Sequence, residues 1–136
     1  MTKKEYGLPR QRALLRDAKG GNPQAMLELA ALLLKGTYAT VADSDDTVIR
    51  YLQNPQLAFR LIAAAAVSSP AARFLLARAY FQGIGVSRSF EAGETWLRRV
   101  PFDRIPVESL NLAQATVFGN VDDTLVHTAQ QLRLLA

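Results

Sequence analysis

The chain has 136 residues, 49% of them apolar, and a formal charge of +4. That length and apolar share suit a single packed domain over residues 1–136. With no cysteine, disulfides, thiolate metal sites and thiol nucleophiles are excluded.

The elements follow in chain order. Residues 1–8 read as a loose, basic start, and Pro9 suits the first turn of a helix continued by Ala13, Leu14 and Ala18. Gly20 and Gly21 end it. Asn22–Pro23 is a cap followed by proline at the first helical position, and predicts a helix to about Lys35 with Gly36 beyond it. Residues 37–53 read as an insertion, with Asp43, Ser44, Asp45 and Asp46 exposed to solvent. Val48, Tyr51 and Leu52 share a helical face, so a short helix is expected over 47–53. Asn54–Pro55 and Ser69–Pro70 repeat the cap-plus-proline device before helices reaching Val67 and Gln82. Gly83 and Gly85 form a turn, and Ser87 or Ser89 caps a helix with Gly93, Trp96, Leu97 and Val100 on its buried face. Glycine inside a helix costs about 1 kcal/mol against alanine, so Gly93 implies a close helix crossing. Trp96 is the large side chain expected to fill the angle between paired helices. The stretch Pro101–Pro106 is a break. A helix then runs to about Phe118, Gly119–Asn120 ends it, and a terminal capping helix spans about 122–134 with Leu125, Ala129, Leu132 and Leu135 inward.

These helices recur. Shifted by 47, Ala25, Leu29, Ala30, Leu33 and Gly36 fall on Ala72, Leu76, Ala77, Tyr80 and Gly83. Shifted by 36 the other way, Leu112, Ala113, Thr116 and Gly119 fall on the last four. Ala58, Leu61, Ala65 and Ala66 stand in the order later taken by Gly93, Trp96, Val100 and Pro101. A period in this range with helix–turn–helix content marks a helical solenoid. The chain is therefore expected to be all-α, a short right-handed solenoid of about seven helices in antiparallel pairs.

Residues 72–100 carry the most specific signal. Ala72, Leu76, Tyr80, Gly83, Gly85, Val86 and Trp96 stand where the Sel1-like repeat, a relative of the tetratricopeptide repeat, has its signature residues. The segment resembles that family, although Ala77, Ser89, Ala92 and Gly93 depart from its usual glycine, aspartate, lysine and alanine. The first unit lacks the G-x-G-V turn and the tryptophan, and the third keeps only Leu112 and Gly119. The resemblance implies structural roles for Gly36, Leu76, Tyr80, Gly83, Gly85, Trp96 and Gly119. It also implies a family that binds proteins or peptides and shares no catalytic residues. The function expected is a non-catalytic adaptor, regulator or inhibitor, with no cofactor or metal, of a kind found among bacterial cytoplasmic proteins.

In stacked helix pairs the first helix of each pair lines the concave side. The residues facing that side are Arg73, Phe74, Arg78 and Phe81 in the middle unit, with Met26, Leu27 and Leu34 in the first and Leu110, Gln114 and Val117 in the third. They predict an apolar groove edged by arginine, suited to an amphipathic helix or an extended apolar segment. On this expectation, Phe74→Asp with Arg78→Glu abolishes capture of a partner and spares helical content. The opposing reading is that the ends curl together and Phe74 and Phe81 become core. An immunity protein that neutralises a toxin by direct binding is one alternative function. Nucleic-acid binding through Lys3, Lys4, Arg10, Arg12, Arg16 and Lys19 is another, and those residues account for the excess positive charge.

Other chemistry finds little footing. The aspartates at 43, 45 and 46 lack the terminal glutamate of a calcium loop. His127 is the only histidine, spaced i, i+4 from Asp123 as a surface pair. The turn at Gly83–Val86 lacks the Gly-Lys-Ser/Thr ending of a phosphate loop. No apolar run follows Met1–Tyr6, so neither a leader nor a lipid anchor is expected, and Leu57–Val67 is too short to span a bilayer.

Overall fold

The computed structural model describes residues 12–36, 38–40, 48–50 and 53–135. Among them are seven helices and one small hairpin. In chain order these are α1 (12–19), α2 (Pro23–Lys35), β1 (Tyr38–Thr40), β2 (Val48–Arg50), α3 (Pro55–Ala65), α4 (Pro70–Gln82), α5 (Phe90–Leu97), α6 (Val107–Phe118) and α7 (Asp123–Leu135). Pro9 and the aspartates at 43, 45 and 46 lie outside the described residues, as do the side chains of Leu132 and Leu135.

Local chemistry sets the helix ends. Asn22 Oδ1 accepts from Ala25 N at 3.1 Å, Asn54 Oδ1 from Leu57 N at 3.1 Å, and Ser69 Oγ from Ala72 N at 3.3 Å, each ahead of a proline. Ser89, rather than Ser87, caps α5 by accepting from Ala92 N at 3.1 Å. Each such cap contributes about 1 kcal/mol by satisfying an otherwise orphaned N–H. At the other ends, Gly36, Gly83 and Gly119 are left-handed, with φ of 71°, 69° and 81°, and their N–H groups return to Leu32, Ala79 and Ala115 carbonyls. The glycines that align in sequence therefore end three equivalent helices.

The described part of the insertion is extended. β1 and β2 pair antiparallel with Tyr38 opposite Arg50, Ala39 opposite Ile49 and Thr40 opposite Val48. The helix expected over 47–53 is corrected by this strand. The i, i+3, i+4 spacing of Val48, Tyr51 and Leu52 suits a helix, but β-branched Val48 and Ile49 favour the extended form and the ladder to β1 holds it. Asn54 N donates to Leu33 O at 2.9 Å, which returns the chain to the end of α2.

The helices pack as neighbours, α2 on α3, α3 on α4 and α4 on α5, which is the adjacent-helix packing of a helical solenoid. α6 lies against both α2 and α4. One apolar cluster joins α1, α2, α3, α4 and α6 through Ala18, Leu29, Leu33, Ile62, Leu76 and Val117. A second joins α4, α5, α6 and α7 through Phe74, Leu97, Leu110, Leu125 and Ala129. Trp96 packs against both clusters, filling the angle between paired helices. α4 is buried continuously from Phe74 to Ala79. Six consecutive buried residues span more than a full turn, so α4 is enclosed on every side there, with α3, α5 and α6 packed around it.

Two close approaches need glycine. A Cβ on Gly85 would fall on the carbonyl of Pro55, at the start of α3. A Cβ on Gly93 would sit 2.8 Å from the Phe81 ring, which accounts for a glycine inside α5.

Candidate functional site

Three helices, α2, α4 and α6, were expected to line a concave groove, and the structure places their groove-facing side chains mostly inside. Leu27, Phe74, Arg78, Leu110, Gln114 and Val117 are buried, whereas Met26, Leu34, Arg73 and Phe81 are half-buried. The open apolar groove expected from these residues is thus corrected for the isolated chain: α6 lies across α2 and α4, and α7 covers the far side of Phe74 and Leu110. α6 is turned relative to its counterparts. Leu112, aligned with the buried Leu29 and Leu76, is 69% exposed, while Leu110 and Gln114 point inward.

Arg73 and Arg78 are both engaged within the chain. Arg73 Nε donates to Ala66 O at 3.0 Å and its Nη1 to Arg99 O at 3.3 Å. Ala66 caps α3, and Arg99 follows α5, so one cation serves the negative ends of two helices. Arg78 was expected at the groove edge and is instead 4% exposed. Its Nε donates to Gln82 Oε1 at 3.1 Å, and Nη1 donates to Gln114 Oε1 at 2.7 Å and to Asn120 O at 3.0 Å. Nη2 donates to Asn120 Oδ1, and the guanidinium lies 4.6 Å from the centroid of the Phe118 ring. Burial pushes its pKa below the usual arginine value, and the charge of Asp122 opposes that shift.

Gln114 and Asp122 complete the network. Gln114 Oε1 also accepts from Asp122 N at 3.1 Å, Asp122 Oδ2 accepts from Gln82 Nε2 at 3.0 Å, and Asp122 Oδ1 caps α7 by accepting from Leu125 N at 3.2 Å. The buried guanidinium thus meets neutral oxygens directly and fixes the linker between α6 and α7. Sequence spacing contained no pointer to this network, because it joins Arg78 and Gln82 of α4 to residues 36 to 42 positions further along the chain.

The inner face carries an opening. A crevice of about 220 Å³ lies where α2, α4 and α6 meet, floored by Leu27, Ala71, Ala113 and Val117. Leu112 stands at its edge, and Gln24, Ser69, Ser109 and Thr116 supply polar groups around it. Leu27 and Val117 are two of the residues expected to meet a partner, and both line it. A broader cleft is bounded by Gln53, Pro55 and the Gly83–Ser87 turn on the opposite end of α2 and α4.

Elsewhere the chemistry is sparse. His127 is exposed beside Gln131, with 3.3 Å between Nε2 atoms. Among the described residues no three His, Cys, Asp or Glu side chains gather as a metal site would need, and no helix is long and apolar enough to cross a membrane. Of the basic edge, Lys3, Lys4 and Arg10 lie outside the described residues, while Arg12, Arg16 and Lys19 are exposed on α1. Arg98 pairs with Glu94 at 3.8 Å, and Arg99 lies over Trp96 at 4.8 Å. No protein-family model matches the chain, and neither a curated protein nor a solved structure does.

Proposed function

We propose that the chain is a non-catalytic protein-interaction module built of Sel1-like units, with its helices in antiparallel pairs. It acts by occupancy in the cytoplasm, holding an apolar helical segment of a partner protein on the inner face of α4 and α6. One observation carries this reading: Leu112 stands 69% exposed at the edge of an apolar crevice between the three inner helices. Leu112 and the apolar floor of the crevice together form a concave apolar surface into which one face of a helix can pack. The polar rim suits a helix that lays one apolar face against α6 and turns its amides and hydroxyls toward Gln24, Ser109 and Thr116. A non-catalytic role is supported by the engagement of the buried polar side chains Arg78 and Gln114 in structural hydrogen bonds.

The test is affinity capture from native extract with the parent chain and Leu112→Asp side by side. Leu112 is exposed, so the variant is expected to keep the parent's far-UV spectrum. A discrete protein retained by the parent and lost by Leu112→Asp supports the reading. Equal capture by both chains removes the inner face from the account. Salt-sensitive co-purification of nucleic acid in place of protein would replace it with the basic α1 edge.

A further inference from the structure

We propose that the occupant of the crevice between α2, α4 and α6 is a basic amphipathic helix. Its apolar stripe lies against Leu112 and the crevice floor, and lysine or arginine side chains on its two flanks pair with Glu28 and Glu108. This rests on the interaction-module reading and adds the chemistry of the partner. Glu28 stands one helical turn after Gln24 on α2, and Glu108 one turn before Leu112 on α6. Gln24 and Leu112 both line the crevice. Residues four apart share a helix face, so the two carboxylates flank the opening from two of its three helices. Both are exposed, and among the described residues neither takes part in an ion pair.

Nothing cationic in the crevice opposes such a partner. Its polar lining residues, Gln24, Ser69, Ser109 and Thr116, are neutral. Arg73, one turn after Ser69 on α4, is held by the carbonyls of Ala66 and Arg99. Lys19 at the end of α1 and Arg104 ahead of α6 make no ion pair with either carboxylate. The helix starts gathered here would otherwise favour an anion. Pro23 and Pro70 open α2 and α4 without an N–H, and Asn22 and Ser69 already accept from the amides of Ala25 and Ala72. The start of α6 carries Glu108 itself in its first turn. The hollow of about 220 Å³ is smaller than the roughly 300–1,000 Å³ of small-molecule sites, so it suits side chains from a partner surface. A helix supplies those side chains in one stripe and places a cation on each side of it.

The probes are two dye-labelled peptides about four turns long, stapled on the outer face so that both are helical. They share a stripe of Leu and Ala at i, i+3, i+4 and i+7 and differ only in carrying Lys or Glu along both flanks. At low salt the Lys peptide is expected to bind the parent chain at least about fivefold more tightly than the Glu peptide, because two exposed charge pairs turn from attractive to repulsive. Glu28→Gln with Glu108→Gln changes exposed positions only and is expected to keep the fold while reducing that ratio below about twofold. Equal affinity of the two peptides for the parent, tighter binding of the Glu peptide, no binding of either, or a ratio that survives the double substitution overturns the basic-helix assignment. Leu112→Ser removes the apolar contact without adding charge and separates this failure from that of the module. If the peptides bind the parent equally and both are lost in Leu112→Ser, the crevice stands and only its charge preference falls. If binding is indifferent to Leu112→Ser, the crevice falls and the basic-helix assignment falls with it.

Discussion

Removing the Arg78 guanidinium separates an interior clasp from a partner-facing charge. Arg78 makes four hydrogen bonds, to Gln82, Gln114 and both oxygens of Asn120. A hydrogen bond from a charged donor contributes about 1.5–3 kcal/mol when deleted, but holding the cation out of water costs several kcal/mol. Gln82 and Asn120 are exposed and regain water, whereas Gln114 is fully buried. The difference leaves Arg78→Ala about 3 kcal/mol less stable than the parent, part of it from the lost guanidinium contact with the Phe118 ring. Arg78→Met keeps the stem and recovers the desolvation cost, so its loss is about 1 kcal/mol. For a chain of this size the alanine variant corresponds to a drop in Tm of about 10 °C. Urea denaturation at constant slope reads both values. If Arg78→Ala falls within about 0.5 kcal/mol of the parent, the guanidinium faces solvent and the clasp is wrong.

Other substitutions probe the packing independently. Gly85→Ala puts a Cβ onto the Pro55 carbonyl at a φ of +71°, so a stability loss above about 3 kcal/mol is expected; a loss below about 1 kcal/mol by urea denaturation would refute the approach. Gly93→Ala gains about 1 kcal/mol of helix propensity and loses about 1–3 kcal/mol to the Phe81 ring. In a Phe81→Leu background the same change is expected to become stabilising, and an unchanged sign there would show that Phe81 is not the obstacle. Phe74→Asp buries a carboxylate where the side chain is 0% exposed and is expected to abolish cooperative unfolding in calorimetry, whereas Phe90→Ser, at 64% exposed, is expected to shift stability by less than about 0.5 kcal/mol.

The helix ends were legible because each depends on a few adjacent atoms. Asparagine or serine ahead of proline, and glycine at the far end, specify a cap without reference to the rest of the chain. Gly93 was legible as a crossing for the same reason, although its partner Phe81 was not. The rotation of α6 was hidden, since matching Gly119 to Gly83 aligns a helix along its axis and says nothing about which side it buries. The alignment sets Leu112 on Leu76, yet Leu112 is 69% exposed where Leu76 is buried, and Gln114, expected to face the groove, is buried. Arg78 read as exposed because its compensating oxygens come from α6 and the following linker. The hairpin was illegible for a different reason: the helical spacing of Val48, Tyr51 and Leu52 was read over a segment too short for periodicity to outweigh β-branched Val48 and Ile49 and their pairing with β1.

The most direct measurement is amide exchange on the chain with its captured partner bound, compared with the chain alone. The account predicts added protection along residues 109–117 of α6 and at the starts of α2 and α4, where the crevice lies. Protection appearing instead around Gln53–Gln56 and Gly83–Ser87, with α6 unchanged, would move the partner to the opposite cleft and contradict the inner-face assignment.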